Sequence, residues 1–120
     1  MDKKTLVLGA SLKPDRYSNF AIRRLVKKNH DVVAVGLREG EVDGIKIEIG
    51  KPSFKEVDTV TLYLNPKRQI AYYDYIISLN PKRVIFNPGT ENIEFVELLN
   101  KNNIETEVAC TLVLLTTDQY

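Results

Sequence analysis

A single cysteine, Cys110, rules out an internal disulfide framework. Histidine is equally scarce, and Cys110 with His30 cannot supply an ordinary Cys/His zinc site. No apolar run approaches the ~20 residues that a membrane-spanning helix needs. The run following Met1-Asp2-Lys3-Lys4 is too short for the core of a secretory signal, so a cytoplasmic location is expected. Nor does one sign of charge dominate. The 17 Lys plus Arg face 16 Asp plus Glu, a formal net charge of +1. A nucleic-acid coat draws on a clustered cationic surplus, which this balance does not offer. The 120 residues can fill one core, giving one domain over 1–120. Its function must come from loops and backbone.

What the chain does have is a regular alternation of strand-like and helix-like segments. Thr5–Leu8, Asp31–Val35, Thr59–Tyr63 and Arg83–Phe86 are short and largely apolar, as parallel strands covered on both faces are. Ile104–Glu107, polar at alternate positions, suits an edge strand. Ile22, Leu25, Val26 and Asn29 mark one helical face. Asn65-Pro66 opens a second helix, with Asn as N-cap and Pro in the first turn, and its buried stripe reads Ile70, Tyr73, Ile76 and Ile77. Phe95, Leu98 and Leu99 line a third helix, and a last one runs from about Ala109 to Leu115. Leu37–Gly50 is rich in glycine and reads as loop, except for a short strand at Ile45-Lys46-Ile47. This order predicts an α/β fold: a Rossmann-like doubly wound parallel sheet of about five strands, with helices on both faces. Leu64-Asn65-Pro66-Lys67-Arg68 recurs as Leu79-Asn80-Pro81-Lys82-Arg83, but the copies fall at opposite ends of the sheet.

Ligands of open parallel sheets bind outside the carboxyl ends of the strands. That rule selects loops beginning at Gly9, Gly36, Leu64, Asn87 and about Val108. It removes His30, Asn80-Pro81 and Asn102-Asn103, and with His30 any Ser/His/Asp set. The first loop, Gly9-Ala10-Ser11-Leu12-Lys13-Pro14-Asp15-Arg16, keeps only the first glycine of a G-x-G-x-x-G fingerprint. Helix-start N–H groups, the Ser11 hydroxyl and the Arg16 guanidinium together suit a phosphate. A NAD site wants an acidic residue after the second strand, whereas this chain has Gly36-Leu37-Arg38. Arg38 suits a ribose that carries a phosphate, either the 2′-phosphate of NADP or the 3′-phosphate of coenzyme A. Leu64-Asn65-Pro66-Lys67 offers an apolar wall for adenine and a further cation. In Asn87-Pro88-Gly89-Thr90-Glu91-Asn92, the amides of Asn87 and Asn92 suit a neutral polar chain such as pantetheine. Cys110, near the start of the last helix, reads either as a reactive thiol or as an inert buried one. Tyr73 reads as core, with Tyr72 or Tyr75 left to meet a partner.

These motifs form an ordered set: Gly9-Ala10-Ser11 with Arg16, then Glu41-Val42-Asp43-Gly44-Ile45-Lys46, Val57-Asp58-Thr59-Val60, Asn87 to Asn92, and the spacing to Cys110. From about Leu6 to Cys110 the chain resembles the small stand-alone CoA-binding proteins, whose domain is similar to the CoA-binding domain of the succinyl-CoA synthetase alpha subunit. The resemblance implies a Rossmann-like domain holding coenzyme A, or an acyl-CoA, extended across the loops. It implies that Gly9, Ala10, Ser11 and Arg16 hold phosphates and that Val35 to Arg38 flank the adenosine. Leu64, Asn65 and Pro66 would line the adenine side, and Pro88-Gly89 would face the pantetheine arm. Such chains usually carry Asn-Pro where this one has Gly36-Leu37-Arg38, and the tail diverges after Cys110. Nothing in the pattern supplies a nucleophile or a base. The expected function is therefore non-catalytic binding of coenzyme A or an acyl-CoA. A small NADP-linked reductase, or a ligand-free interaction module, is the alternative. The candidate cofactor-binding residues are Gly9, Ala10, Ser11, Arg16, Gly36, Arg38, Leu64, Asn65, Pro66, Lys67, Asn87, Pro88, Gly89 and Cys110. The expected partner is a small nucleotide ligand rather than nucleic acid or membrane, with a homodimer left open. Lys13, Arg16, Arg38 and Lys67 are expected together at one end of the sheet.

Overall fold

The computed structural model describes residues 3–120. Strand β1 (Thr5–Ala10) lies near the centre of a seven-stranded sheet and is followed by α1 (Tyr17–Lys27). Then come β2 (Val32–Gly36), β3 (Gly40–Val42), β4 (Ile45–Glu48) and β5 (Thr59–Leu62). Helix α2 (Pro66–Gln69) passes through a 3-10 turn (Ile70–Tyr72) into α3 (Tyr73–Leu79). The chain closes with β6 (Arg83–Phe86), α4 (Ile93–Lys101), β7 (Glu105–Val108) and α5 (Thr111–Thr116). The strand order is β3-β4-β2-β1-β5-β6-β7, and every pairing is parallel except β3 with β4. Among the described residues, no helix is long and apolar enough to cross a membrane.

Alternation of side chains along the strands divides the core in two. Leu6, Leu8, Val60, Leu62, Val84 and Phe86 share one face with Tyr73 and Ile76 of α3 and with Phe95 and Leu99 of α4. Val7, Val32, Ala34 and Ile47 share the other with Ile22 and Leu25 of α1 and Leu115 of α5. Both faces are covered, as a doubly wound sheet requires. Each fully buried Leu, Ile or Phe contributes about 1.5–3 kcal/mol.

The sheet exceeds the expected five strands. β4 contains the short strand anticipated at Ile45–Ile47, but Gly40–Val42, read as loop, pairs antiparallel with it. The two-residue turn between them is Asp43-Gly44, with φ of 48° and 80°. Both values are positive, as the tight hairpin turn that suits a twisted strand pair demands. The helix expected from Asn65 is broken by the 3-10 turn, which shifts the phase of its stripe. Ile70 is consequently exposed, while Tyr73 and Ile76 are buried as read. Tyr75 is buried too, its hydroxyl donating to the Pro52 carbonyl at 2.7 Å, which withdraws it from any partner surface. Asn29 lies beyond α1, exposed and at φ 64°, and takes no part in the helical face.

The amino edge of the sheet is closed by Tyr120. Its ring lies 5.0 Å from that of His30 and 4.6 Å from the Arg83 guanidinium, and its hydroxyl shares a hydrogen bond with Thr5 Oγ1. Arg83 also bonds Glu107 at 3.1 Å and Thr59 Oγ1 at 3.2 Å. His30 therefore stands at the edge opposite the selected loops, as expected from the sequence.

At the carboxyl end of β1, Gly9 has φ 97°, and the register with β2 slips between Leu8 and Ala10. A Cβ on Gly9 would lie 2.9 Å from the carbonyl carbon and oxygen of Tyr63. Backbone cannot yield as a side chain can, so strain and overlap add. Gly9→Ala is expected to cost about 3 kcal/mol in urea unfolding. Gly89→Ala, at φ 91° but with nothing within 4 Å of the added Cβ, should cost only about 1 kcal/mol. Equal losses would show that the Tyr63 contact is not limiting.

Candidate functional site

A groove of about 710 Å³ runs along the carboxyl edge of the sheet, over the ends of β2, β1, β5 and β6. That is within the roughly 300–1,000 Å³ of small-molecule sites. Its β1 wall is the loop from Ser11 to Arg16. Ser11 Oγ accepts from the Lys13 N–H at 3.1 Å, and the Arg16 N–H donates to the Lys13 carbonyl at 3.1 Å, coiling the loop tightly. Helix α1 braces it from behind. Asn19 donates to the Ser11 carbonyl at 2.9 Å, and Arg23 donates to the Asn19 side chain at 2.8 Å and to the Pro14 carbonyl at 2.9 Å. Helix α1 starts at Tyr17 with no side-chain cap and no acidic residue in its first turn. Its leading N–H groups therefore present partial positive charge at the groove.

The β2 wall is Val35, Gly36, Leu37 and Arg38. A Cβ on Gly36 would fall 2.3 Å from the Ala10 carbonyl oxygen, so glycine is what lets the two strand ends lie side by side. The β5 wall is built from Leu64, Arg68 and Tyr72, spaced four apart, together with Asn65. Asn65 caps α2 by accepting from the Arg68 N–H at 3.0 Å, and Pro66 occupies the first turn, as the sequence led one to expect. Pro88, Gly89 and Thr90 form the β6 wall. Lys13, Arg16, Arg38 and Arg68 all line the groove, and among the described residues no Asp or Glu does.

The family model of the CoA binding domain matches residues 3–116. The chain belongs to the CoA-binding domain family. An uncharacterized protein of known crystal structure is 49% identical, with a TM-score of 0.97, over 100% of this chain and 99% of that one. A hypothetical protein from Pyrococcus horikoshii OT3 is 29% identical, with a TM-score of 0.81, over 93% of this chain and 80% of that one. A conserved hypothetical protein from Pyrococcus furiosus is 26% identical, with a TM-score of 0.77, over 88% and 91%. No curated protein matches.

Within this CoA-binding domain, Gly9, Ala10, Ser11, Arg16, Gly36, Arg38, Leu64, Asn65, Pro88 and Gly89 line one groove. Pro66, Lys67, Asn87 and Cys110 lie outside its wall. Arg68, the next residue of α2, lines the groove where Lys67 does not. Cys110 is the N-cap of α5 and only partly buried. Leu12, Tyr17, Ser18, Tyr63, Arg68 and Tyr72 line the groove without having been singled out for it.

Asn87 and Asn92 have a different occupation from the one their exposed-looking loop suggested. Asn87 is buried, and its amide donates to Thr61 Oγ1 at 2.7 Å and to the Leu62 carbonyl at 2.8 Å. Its side-chain oxygen accepts from the Thr111 N–H at 2.9 Å, fixing the start of α5. Thr111 and Thr61 share a further bond of 2.8 Å. Asn92 caps α4 by accepting from the Phe95 N–H at 3.1 Å, and donates to Gln69 Oε1 and the Tyr73 hydroxyl, both at 2.9 Å. Gln69, fully buried, donates in turn to the Leu64 carbonyl at 2.9 Å and the Thr90 carbonyl at 2.8 Å. The β5 and β6 walls are thus tied together through one amide. Burial pushes the Tyr63 hydroxyl up to about 12, against a partial offset from Thr61 and Thr111, so it stays a protonated donor.

Removing the Asn87 amide leaves buried backbone groups of Leu62 and Thr111 without partners. Asn87→Ala is expected to lower the unfolding free energy by about 3 kcal/mol, whereas Lys67→Ala should stay within about 0.5 kcal/mol of the parent. Urea titration of the two variants checks both, and a stable Asn87→Ala would show that the network is dispensable.

Proposed function

We propose that the groove binds coenzyme A or an acyl-CoA and that the domain holds this ligand without transforming it. The observation that carries this reading is a groove wall with four cations and no carboxylate, in a chain of the CoA-binding domain family. Coenzyme A bears about four negative charges at neutral pH, on a diphosphate and a 3′-phosphate. Lys13, Arg16 and the uncapped start of α1 suit the diphosphate. Arg38, at the end of β2, suits the 3′-phosphate, and Leu37 and Leu64 offer apolar contact to the adenosine between them. The pantetheine arm then follows the groove toward Pro88 and Gly89. The Gly89 N–H already donates to Glu91 Oε1 at 2.8 Å, so that arm would meet the β6 wall through other groups. The groove wall contains no histidine or cysteine, and its tyrosine at the end of β5 stays protonated, which suits holding a ligand rather than reacting with it.

Thermal unfolding with coenzyme A, dephospho-CoA, NADP and NAD tests the reading. A ligand at 100 times its dissociation constant stabilises the fold by about 2.7 kcal/mol, so coenzyme A should raise the midpoint visibly and NAD should not. A shift with NADP but not coenzyme A would reject the reading, and no shift with any of the four would favour an interaction module. Arg38→Ala should weaken coenzyme A by about 1.5–3 kcal/mol and leave dephospho-CoA nearly unchanged in calorimetric titration. Equal losses for the two ligands would remove Arg38 from the 3′-phosphate.

A further inference from the structure

Charge is distributed unevenly along the groove. Lys13 and Arg16 stand on the β1 loop, Arg38 on the β2 loop and Arg68 on α2. The β6 loop contributes Pro88, Gly89 and Thr90, with no cation. Its nearest charged side chain in the chain is instead an acid: Glu91 Oε1 accepts from the Gly89 N–H at 2.8 Å, which holds the carboxylate beside the groove wall. Glu91 is exposed, and among the described residues no Lys or Arg forms an ion pair with it. Exposed side chains on either side of the same loop are of both kinds, charged and apolar, with Glu94 exposed beside Ile93. Ile93, the first residue of α4, is 78% exposed, and Val108, the cross-strand partner of Phe86 just before the loop, is 65% exposed. On the coenzyme A reading the phosphates lie at the cation-bearing walls and the far end of the ligand points toward the β6 loop, where Glu91 is held against Gly89 of the groove wall.

We infer that the groove selects acyl-CoA ligands whose acyl group is uncharged, and that Glu91 is the residue that disfavours acyl groups ending in a carboxylate. This rests on the coenzyme A reading above. Like charges a few ångströms apart at a protein surface repel enough to change affinity severalfold, whereas a short alkyl chain carries no charge for Glu91 to repel. The role differs from capping. Glutamine at this position keeps an oxygen to accept from Gly89 and removes only the charge.

Equilibrium calorimetric titration of the whole chain with coenzyme A, butyryl-CoA and succinyl-CoA tests this. The butyryl and succinyl esters share a four-carbon acyl group, and the terminal carboxylate is what distinguishes them. Butyryl-CoA is expected to bind at least as tightly as coenzyme A, and succinyl-CoA about fivefold more weakly than butyryl-CoA. Glu91→Gln should shrink that gap to less than about twofold, each ester being compared with coenzyme A on the same variant. Succinyl-CoA binding as tightly as butyryl-CoA to the parent protein would overturn the inference. Tighter succinyl-CoA binding would do the same and place Arg68 at the acyl end. A gap that persists in Glu91→Gln would reject Glu91 as its cause. Because the parent comparison needs no substitution, poor folding of the variant does not blunt the test. If coenzyme A itself fails to bind, the functional reading falls and takes this inference with it; if it binds and the two esters are not discriminated, only the inference falls.

Discussion

The close approach of backbone at the end of β1 is the constraint on which the site depends. β1 leaves the sheet between β2 and β5, and at that point there is room for main chain but not for side chains. Gly9 sits against the Tyr63 carbonyl, and Gly36 against the Ala10 carbonyl. These two contacts let three strand ends converge, so that the Ser11–Arg16 loop, the Arg38 loop and the Leu64 turn open onto one groove. Gly9 had been read as a phosphate contact. It lines the groove, but its conformation and its lack of a side chain are already required by Tyr63. A glycine in a phosphate-loop pattern can thus be dictated by the neighbouring strand, whatever the ligand asks of it.

The other half of the groove is held by three amides, two of them, Gln69 and Asn87, buried and the third, Asn92, partly so. Gln69, Asn87 and Asn92 together bond Leu62, Leu64, Thr61, Thr90, Thr111, Tyr73 and the start of α4. Buried polar groups are costly unless satisfied, and a satisfied network in low dielectric fixes geometry that apolar contacts would leave freer. The 3-10 turn at Ile70–Tyr72 belongs to this arrangement. It follows directly on Gln69, whose side chain turns into the core, and it resets the helix so that Tyr73 can stack on Phe95 at 4.2 Å and reach Asn92.

The alternating order of elements, the coverage of both sheet faces and the edge position of β7 were legible because they rest on hydrophobic period. The hairpin of β3 and β4 was obscured by its glycines, which suggested loop, although Asp43-Gly44 is itself the signal of a tight turn. In the groove, the residues legible from sequence were those whose role is local to a loop: Ser11, Arg16, Arg38, Asn65, Pro88. What was not legible depends on contacts between loops distant in the chain. Asn87 looks like a ligand-facing amide until Thr61 and Thr111 are placed beside it. Leu12 acquires its position by lying over Gly40, twenty-eight residues away, and carries no local mark of it.

A net charge of +1 would ordinarily argue against a site for a polyanion. The fold removes the objection by sorting charges between the two edges of one sheet. At the amino edge, Arg83 is paired with Glu107, and Lys82 approaches Asp58 at 3.9 Å, so two of the cations there face acids. At the carboxyl edge, four cations share a concave wall that holds no acid, and Asp15 and Glu39, though in the same loops, stay outside it. Field lines from such a wall are concentrated by the low-dielectric body behind it, so the potential in the groove is set by those four residues and not by the whole-chain sum. The same sorting gives the groove a direction. Lys13, Arg16 and Arg38 stand on the β1 and β2 walls and Arg68 on the β5 wall, whereas the β6 wall of Pro88, Gly89 and Thr90 holds no cation, so the positive potential falls off toward that loop.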